Sequence, residues 1–477
     1  MGKQVPLRSP SKAFESREWE GNSARIGLRG ERSKSLAHLI EPFPAEMEGY
    51  VRCGTSAGEK RRPDAGEFQI WNFGSARRFV NRRKPNNGAI GYHAEVTPMP
   101  KTSRRQFLRE TLAVGAALPL IQRRPAPSSA VAIARCRTYG GAEVRAALAT
   151  CFDQLGGLDR LLRNKTVTLK VNLTGQSFSP FMNRPTGETY MTHFATVYQL
   201  GALFFGAGAR RVRIVESTGR RAPLEATLTE AGWDLPALGA LGPVVYEDTR
   251  NRGSASTYAH LVVPHGRMFS AFELNRAYDE TDVMVSLAKL KQHITAGVTL
   301  SMKNMFGLTP SSMYGGKPGD EDATAGRGAI HDPRRYVDLE LPGQKADFVS
   351  TEAGVRVPNT IVDLCAARPV DLAIIDGITS ITQAESRYFQ DSSMRVVSPG
   401  VIIAGTNAVS VDAVGAAVMG FDPRAPRGSL PFARCENHLL LAERAGLGTA
   451  DLSRIDVRGL AVADARCPYV ISADVHQ

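Results

Sequence analysis

Apolar runs and amphipathic stretches alternate along the chain from residue 131 onward. The runs with the composition of buried strands are Val131–Ala134, Thr166–Asn172, Arg211–Glu216, Val283–Leu287, Leu372–Asp376 and Val401–Gly405. The stretches with helical spacing are Ala142–Leu155, His193–Phe205, Leu224–Ala231 and Val409–Met419. Strands that alternate with helices of this length are typical of βαβ units. The pattern therefore predicts one large α/β domain over 131–477, with a mainly parallel sheet covered by helices on both faces.

The first 98 residues lack this pattern. They show neither helical nor strand periodicity, and Arg, Gly, Ser and Pro are scattered through them. We expect residues 1–98 to be a disordered extension, or an upstream segment that is mis-assigned to a chain whose translation starts at Met99.

Three segments between residues 99 and 130 have the order of an export signal. Ser103–Arg109 contains paired arginines followed by Phe-Leu-Arg, Thr111–Ile121 is apolar, and Pro125–Ala130 holds small residues and proline. The paired arginines resemble a twin-arginine signal. The apolar segment is shorter than the roughly 20 residues that a membrane helix needs. We therefore expect a protein that the twin-arginine machinery exports folded, to the periplasm or another extracytoplasmic space, without a stable membrane span.

The positive charge is concentrated before the predicted domain. The net charge of the whole chain is +12, of which residues 1–98 carry +6, residues 99–130 carry +5 and residues 131–477 carry +1. A nearly neutral domain lacks the basic face that nucleic-acid binding requires, so we exclude nucleic acid as a partner. The five cysteines of 131–477 lie at least fifteen residues apart, so no CxxC spacing exists and buried free thiols are expected.

Polar side chains follow several predicted strands. Lys170 and Asn172 end one strand, Glu216 ends the next, and Asp376 ends a later one. The carboxyl ends of parallel strands line the ligand crevice of an open α/β sheet. We therefore expect these side chains to surround a binding site.

The densest group of basic residues follows the strand that begins at Val283. Lys289, Lys291 and His293 occupy alternate positions, so an extended backbone would direct all three to one side. If Thr295–Gly307 is helical, Thr299 and Lys303 share one face, and the free N–H groups of that helix also attract anions.

Such a group of cations needs a negative partner unless the lysines are solvated on a surface strand. The partner is either an anionic ligand or a protein carboxylate, for which Glu216, Asp376 and Asp412 are the candidates.

The segment from Tyr314 to Arg335 is rich in Gly and Asp and predicts a surface loop. It is either a lid that carries His331 and Arg334 to the site or an ordinary flexible insertion. The chain contains neither an HxH nor an HExxH pair, so metal binding by histidines would depend on the fold. Phosphate-binding glycine motifs and a GxSxG motif are also absent.

Five stretches resemble the bacterial and archaeal family known as domain of unknown function 362, over roughly residues 165–460. They are Leu169–Asn172, Lys289–His293, Thr299–Gly307, Ile374–Gly377 and Val411–Pro423. The resemblance implies an α/β fold with a site around the Lys-x-His and Lys-Asn-x-x-Gly block. Many relatives append an iron–sulfur segment, but this chain lacks the closely spaced cysteines of such a cluster. A redox role is therefore not implied, and the sequence identifies no cofactor.

Our first hypothesis is an exported protein that binds a small anion, a carboxylate or a phosphate, and the sequence leaves catalysis open. Lys291 and Lys303 would hold the anion, and His293 would transfer protons because its pKa lies nearest neutrality. The catalytic candidates are His293, Lys303, Glu216 and Asp376. The ligand-binding candidates are Lys170, Asn172, Lys289, Lys291, Thr299, Asn304 and His331.

Two alternatives belong to other functional classes. One is a metal-dependent hydrolase that uses His293, His331 and a carboxylate. The other is a non-catalytic accessory protein that binds a folded partner.

Overall fold

The computed structural model of the chain describes residues 129–174, 177–254, 256–324, 326–336, 339–383, 385–387 and 393–469. The predictions for residues 1–98, and those for the export signal up to residue 128, lie outside these residues.

Fourteen strands and twelve α-helices are present in the described residues. The strands are β1 (Val131–Arg135), β2 (Thr166–Lys170), β3 (Arg211–Glu216), β4 (Val244–Asp248), β5 (Tyr258–Val262), β6 (Ala271–Asn275), β7 (Val283–Lys289), β8 (Lys291–His293), β9 (Gly297–Thr299), β10 (Leu372–Gly377), β11 (Ser380–Ile381), β12 (Val396–Val397), β13 (Val401–Gly405) and β14 (Val457–Gly459). The helices are α1 (Gly141–Gln154), α2 (Asp159–Leu162), α3 (Phe194–Gly206), α4 (Leu224–Glu230), α5 (Leu235–Ala240), α6 (Ser301–Asn304), α7 (Ser311–Tyr314), α8 (Gly328–His331), α9 (Ala353–Ala367), α10 (Ala408–Val418), α11 (His438–Arg444) and α12 (Val462–Ala465).

Eight of these strands form one sheet in the order β14-β1-β13-β10-β7-β2-β3-β4. Strand β13 runs antiparallel to its neighbours β1 and β10, and every other neighbouring pair is parallel. The predicted mainly parallel sheet is thereby confirmed. The carboxyl ends of the seven strands that share one direction lie along the same edge, which we call the carboxyl edge.

The side chains of each strand alternate between two apolar cores, one on each face of the sheet. Leu169 and Ile374 belong to the core that also contains Leu148 of α1. Ile375 belongs to the opposite core, together with Val414 of α10. Burial on both faces explains why these strands are continuous apolar runs, since each fully buried Leu or Ile contributes about 1.5–3 kcal/mol.

Local signals set the ends of α3 and α10, two of the predicted helices. His193 caps α3, because its Nδ1 atom accepts the N–H of Ala195. Gly208, with φ of 84°, and Gly420, with φ of 89°, follow α3 and α10. The positive φ is a backbone conformation that glycine adopts without steric cost, so both helices stop where the sequence predicts.

The prediction of a helix over Thr295–Gly307 is wrong for the first half of that segment. Strands β8 and β9 form a hairpin there, in which Lys291 pairs with Thr299. Gly297 has φ of 76°, outside the helical region, and its missing side chain makes room for the ring of Phe432. The helical part is confined to α6 and the 3-10 turn Met305–Leu308 that follows it.

Asp412 fixes the point at which α6 begins. Its carboxylate accepts the N–H groups of Ser301 and Met302, each at 2.8 Å. Burial raises the pKa of this carboxyl to about 8. Asp412 is therefore bound to a helix N-terminus and is not the counter-charge of the lysines.

The described cysteines are free thiols, as the sequence predicts, and four of the five are buried. Within the described part of the chain, no helix combines the length and the apolar character needed to cross a bilayer.

Candidate functional site

A pocket of about 460 Å³ opens at the carboxyl edge of the sheet, beside the ends of β2 and β3. Eight of the eleven predicted site residues line it. They are Lys170, Asn172, Glu216, His293, Thr299, Lys303, Asn304 and His331. The three that do not line it are Lys289, Lys291 and Asp376.

A buried ion pair joins the ends of β2 and β3 at the base of the pocket. The Nζ atom of Lys170 lies 2.5 Å from Oε1 of Glu216, and both side chains are almost fully buried. Lys170 also donates to the carbonyl of Val171, and Glu216 accepts the backbone N–H of Leu173. Burial lowers the pKa of Lys170, although the neighbouring carboxylate opposes that shift. The pair is fixed by hydrogen bonds on both sides, as a buried charge requires.

Asn304 connects this pair to the rest of the edge. Its amide group donates to the carbonyl of Lys170 at 3.2 Å and to Oγ of Ser286 at 3.1 Å. Its Oδ1 atom accepts from Asn172 at 3.0 Å. Gly307 lies one turn further on, where a Cβ atom would be only 3.0 Å from Nζ of Lys170. The Asn-x-x-Gly spacing thus lets the chain after β9 lie directly against the buried ammonium.

Lys303 points its amine into the pocket without an ion pair. Its Nζ atom lies 4.4 Å from the centre of the Phe306 ring and makes no hydrogen bond to a described residue. Burial lowers the pKa of Lys303 to about 8, and the positive charges of Arg327 and Lys170 act in the same direction, while Glu385 opposes them. The pocket therefore contains one amine that is only partly protonated near pH 8.

His293 is held on both ring nitrogens. Its Nδ1 atom accepts the backbone N–H of Thr295 at 3.1 Å, and its Nε2 atom lies 2.6 Å from Oε2 of Glu385. Burial lowers the pKa of His293 to about 4, with Lys303 acting in the same direction and Glu385 opposing it. Burial alone would raise the pKa of the Glu385 carboxyl, but His293, Lys303 and Lys291 lower it to about 2. The imidazole is therefore neutral at physiological pH, contrary to the expectation of a pKa near neutrality.

His331 uses one of its two ring nitrogens in a hydrogen bond. Its Nδ1 atom lies 2.8 Å from the carbonyl of Arg327, and its ring meets the edge of Phe306 with centroids 5.3 Å apart. Because a carbonyl only accepts, Nδ1 carries the hydrogen and Nε2 keeps its lone pair. Burial lowers the pKa of His331, so the ring favours this neutral form.

Arg327 reaches the pocket from the segment before α8. Its Nε atom donates to the carbonyl and the hydroxyl of Thr309, both at 2.8 Å, and its Nη2 atom donates to Ser217 and to the carbonyl of Gly307. The Nη1 atom makes no hydrogen bond to a described residue. Arg334, the other arginine expected from this loop, is exposed and paired with Asp332.

Lys289 and Asp376 form a separate buried cluster. Their side chains lie 3.4 Å apart with no solvent exposure, and both bind the hydroxyl of Tyr139. They fall on the face of β7 and β10 that carries Leu287 and Ile374, whereas Lys170 alternates with Leu169 onto the other face. The period-two alternation of strands thus separates these residues from the pocket.

Lys291 is buried behind the pocket wall. Its Nζ atom donates to the carbonyls of Tyr190 and Glu385, each at 2.8 Å, and to Oγ1 of Thr174 at 3.3 Å. Burial lowers the pKa of Lys291 to about 7. The protein thus occupies all three N–H donors of the Lys291 ammonium. Of the side chains between residues 289 and 303 that were expected to meet, His293, Thr299 and Lys303 line the pocket, and Lys289 and Lys291 do not.

Arg327 and Glu385 line the pocket but are not among the residues that the sequence predicts. Arg327 lies in the same Gly- and Asp-rich loop as His331, and its position in that loop is the one sequence feature that points to it. Glu385 has no motif around it, and only the fold brings it to His293. Among the described residues, no group of three or more His, Cys, Asp or Glu side chains is arranged to hold a metal ion.

Comparisons with known proteins match the same part of the chain. A family profile described as "Domain of unknown function (DUF362)" matches residues 167–417, which is more than half of the sequence. The thylakoid-associated protein sll1697 of Synechocystis sp. is 27% identical over 187 residues, which are 38% of this chain and 51% of that relative. The chain thus spans about half the length of this curated relative. The profile confirms the family that the sequence motifs resemble.

Replacing Glu216 by Gln tests the ion pair at the base of the pocket. The substitution keeps the shape but leaves Lys170 buried without its counter-charge, so we expect the free energy of unfolding to fall by about 3–5 kcal/mol. Urea unfolding at pH 7 measures this change. The matched control is Asp159→Asn, which breaks the exposed pair with Arg163 and should change stability by less than about 1 kcal/mol. Equal effects of both substitutions would contradict the assignment.

The lowered pKa of His293 predicts that its imidazole stays neutral between pH 7 and pH 5. Folding lowers its pKa from 6.5 to about 4, so its contribution to stability is complete above pH 6.5 and is lost as the pH falls towards 4. We expect its ring resonances in an NMR titration, assigned by their loss in His293→Gln, to stay unchanged between pH 7 and pH 5. A midpoint near 6.5 would show that the ring is not held as described.

Proposed function

We propose that this chain, which belongs to the family described as "Domain of unknown function (DUF362)", binds a small anion in the pocket at the carboxyl edge. The observation that carries this proposal is Lys303. Its half-buried side chain lines the pocket and forms no ion pair with a carboxylate of the described residues, whereas Lys170 and Lys289 each form one. A partly desolvated cation without a counter-ion is unfavourable until an anion joins it.

The charges that line the pocket support a monoanion. When Lys303 is protonated, Lys170, Lys303 and Arg327 contribute three positive charges, and Glu216 and Glu385 contribute two negative charges. One carboxylate or one singly charged phosphate ester would balance the remainder. Opposite charges at contact distance attract strongly where water is largely excluded.

The donors that remain unused define how an anion would be held. Nζ of Lys303 and Nη1 of Arg327 have no hydrogen-bond acceptor among the described residues, and both side chains line the pocket. Charge-assisted hydrogen bonds from such groups are about twice as strong as neutral ones. The volume of about 460 Å³ is that of a small-molecule site and is too small for a folded partner. These features favour a small anion over the accessory-protein hypothesis at this pocket.

A thermal-shift series with the full chain tests the binding. We expect acetate, lactate, pyruvate or phosphate to raise the melting temperature, by an amount equivalent to about 2.7 kcal/mol at a hundredfold excess over Kd. Lys303→Met should abolish the shift because it removes the unpaired amine but keeps an apolar stem of similar length.

The matched control is Lys165→Met. Lys165 directly precedes β2 and therefore lies at the opposite edge of the sheet, in an exposed pair with Asp282. We expect this variant to keep the full shift. A shift that survives in Lys303→Met, or the absence of any shift in the unmodified chain, would overturn the proposed site.

We also propose that the protein is exported folded through the twin-arginine pathway. The paired residues Arg104 and Arg105, with the apolar segment after them, support this location. The relative from Synechocystis sp. is named as thylakoid-associated.

Export is tested by replacing the arginine pair in a bacterial host that has this pathway. The double variant Arg104→Lys with Arg105→Lys should accumulate in the cytoplasm, because the signal is read through its two guanidinium groups. Cell fractionation followed by immunoblotting measures the distribution. The control is the second pair, Arg123→Lys with Arg124→Lys, which should still be exported. Unchanged export of the first variant would contradict the pathway.

A further inference from the structure

We infer that the anion is a 2-oxo acid and that the amine of Lys303 forms an imine with its carbonyl carbon. This inference rests on the proposed anion site and names the class of ligand that the site takes.

Four lysines near the pocket can be compared directly. Lys170, Lys289 and Lys291 each have three hydrogen-bond partners around the nitrogen atom, which leave no open side from which a ligand could approach it. Lys303 has no hydrogen-bond acceptor among the described residues, and its Nζ atom lies against the face of Phe306. Of these four amines, Lys303 is the one whose surroundings leave the nitrogen open.

The electrostatic surroundings favour the neutral amine. Burial, with the nearby charges of Arg327 and Lys170, lowers the pKa of Lys303 to about 8 despite the opposing charge of Glu385. About half of the molecules would then hold a neutral amine at pH 8. An amine that is desolvated next to other cations is the arrangement that activates lysine as a nucleophile towards carbonyl groups.

A lysine that served only to hold an anion would gain from keeping its proton. Arg327 can hold the carboxylate together with the protonated fraction of Lys303, because a guanidinium stays protonated and its Nη1 atom has no acceptor among the described residues. These two side chains suit a ligand with two functional groups, namely a carboxylate that Arg327 can bind and an electrophilic carbonyl that the Lys303 amine can attack. A 2-oxo acid carries both on adjacent carbon atoms.

His331 supplies a base in the same part of the pocket. Its ring and the Lys303 amine both contact Phe306, at 5.3 Å and 4.4 Å from the ring centre. The Nε2 atom of His331 has its lone pair available, whereas both nitrogens of His293 are occupied. We therefore place the proton transfer on His331.

The reaction balances without a redox partner. The lone pair of Nζ attacks the carbonyl carbon and a C–N bond forms, while one N–H proton passes through His331 to the former carbonyl oxygen. The C–O bond of this carbinolamine then breaks, His331 returns a second amine proton to the departing hydroxyl group, and water leaves. The products are one imine and one water molecule from one amine and one ketone.

Reductive trapping tests the imine on the full chain. Pyruvate or glyoxylate is added with sodium cyanoborohydride at pH 8, and the protein is analysed by intact mass and peptide mapping. We expect one adduct on the peptide that contains Lys303, with the mass of the acid less one oxygen atom. Lactate, which keeps the carboxylate but has a hydroxyl in place of the carbonyl, should give no adduct.

Substitutions separate a specific site from a reactive surface. Lys303→Arg keeps the charge but cannot form an imine, so the adduct should be lost, while Lys165→Arg should retain it. If Lys303→Arg does not fold, the peptide map of the unmodified chain still shows whether the adduct is on Lys303. Trapping should increase with pH with a midpoint near 8, and saturating lactate should suppress it.

Different results would exclude the imine and the anion site. If pyruvate raises the melting temperature but no adduct forms at Lys303, or if phosphate alone stabilises the protein, the imine is excluded and the anion site stands. If neither pyruvate nor lactate nor phosphate changes the melting temperature, the anion site itself is excluded.

Discussion

The buried ion pair between Lys170 and Glu216 is the constraint on which the pocket depends. Two charges removed from water are tolerated only when each is paired and fully hydrogen-bonded. The pair therefore requires Asn304 beside it and Gly307 against it, and these residues bring the chain after the β8–β9 hairpin onto the ends of β2 and β7. Lys303 lies in that same segment, so the position of its amine in the pocket follows from the pairing below it.

The sheet separates two polar clusters that both lie at strand ends. Lys289 and Asp376 bind each other and Tyr139 on one face, while Lys170 and Glu216 form the base of the pocket together with Asn304. Both clusters sit where strands end, because backbone pairing stops there and polar side chains no longer interrupt an apolar layer. The first cluster is fully enclosed and satisfied by the protein. The second lies at the base of the pocket in which Nζ of Lys303 and Nη1 of Arg327 have no acceptor among the described residues.

Much of the fold was predictable because it rests on local regularities. The apolar runs from Val131 to Gly405 became strands of one sheet, since burial on both faces requires continuous apolar sequence. The failure at Thr295–Gly307 came from Gly297, whose positive φ and contact with Phe432 favour a hairpin that periodicity alone does not reveal. For the site, Lys303 and His331 were identified from their strand-end and loop positions, but Arg327 and Glu385 were not.

The sequence by itself determined the class of fold, the edge at which the candidate pocket opens and the basic character of several residues that line it, because these depend on patterns within a few residues. Only the tertiary structure decided which charges meet. Whether a lysine ends in a buried pair like Lys170, behind a wall like Lys291, or in an open pocket like Lys303 depends on segments far apart in the chain. The physical reason is that the state of a charged side chain is set by its desolvation and its partners in space, and neither is a property of its neighbours in sequence.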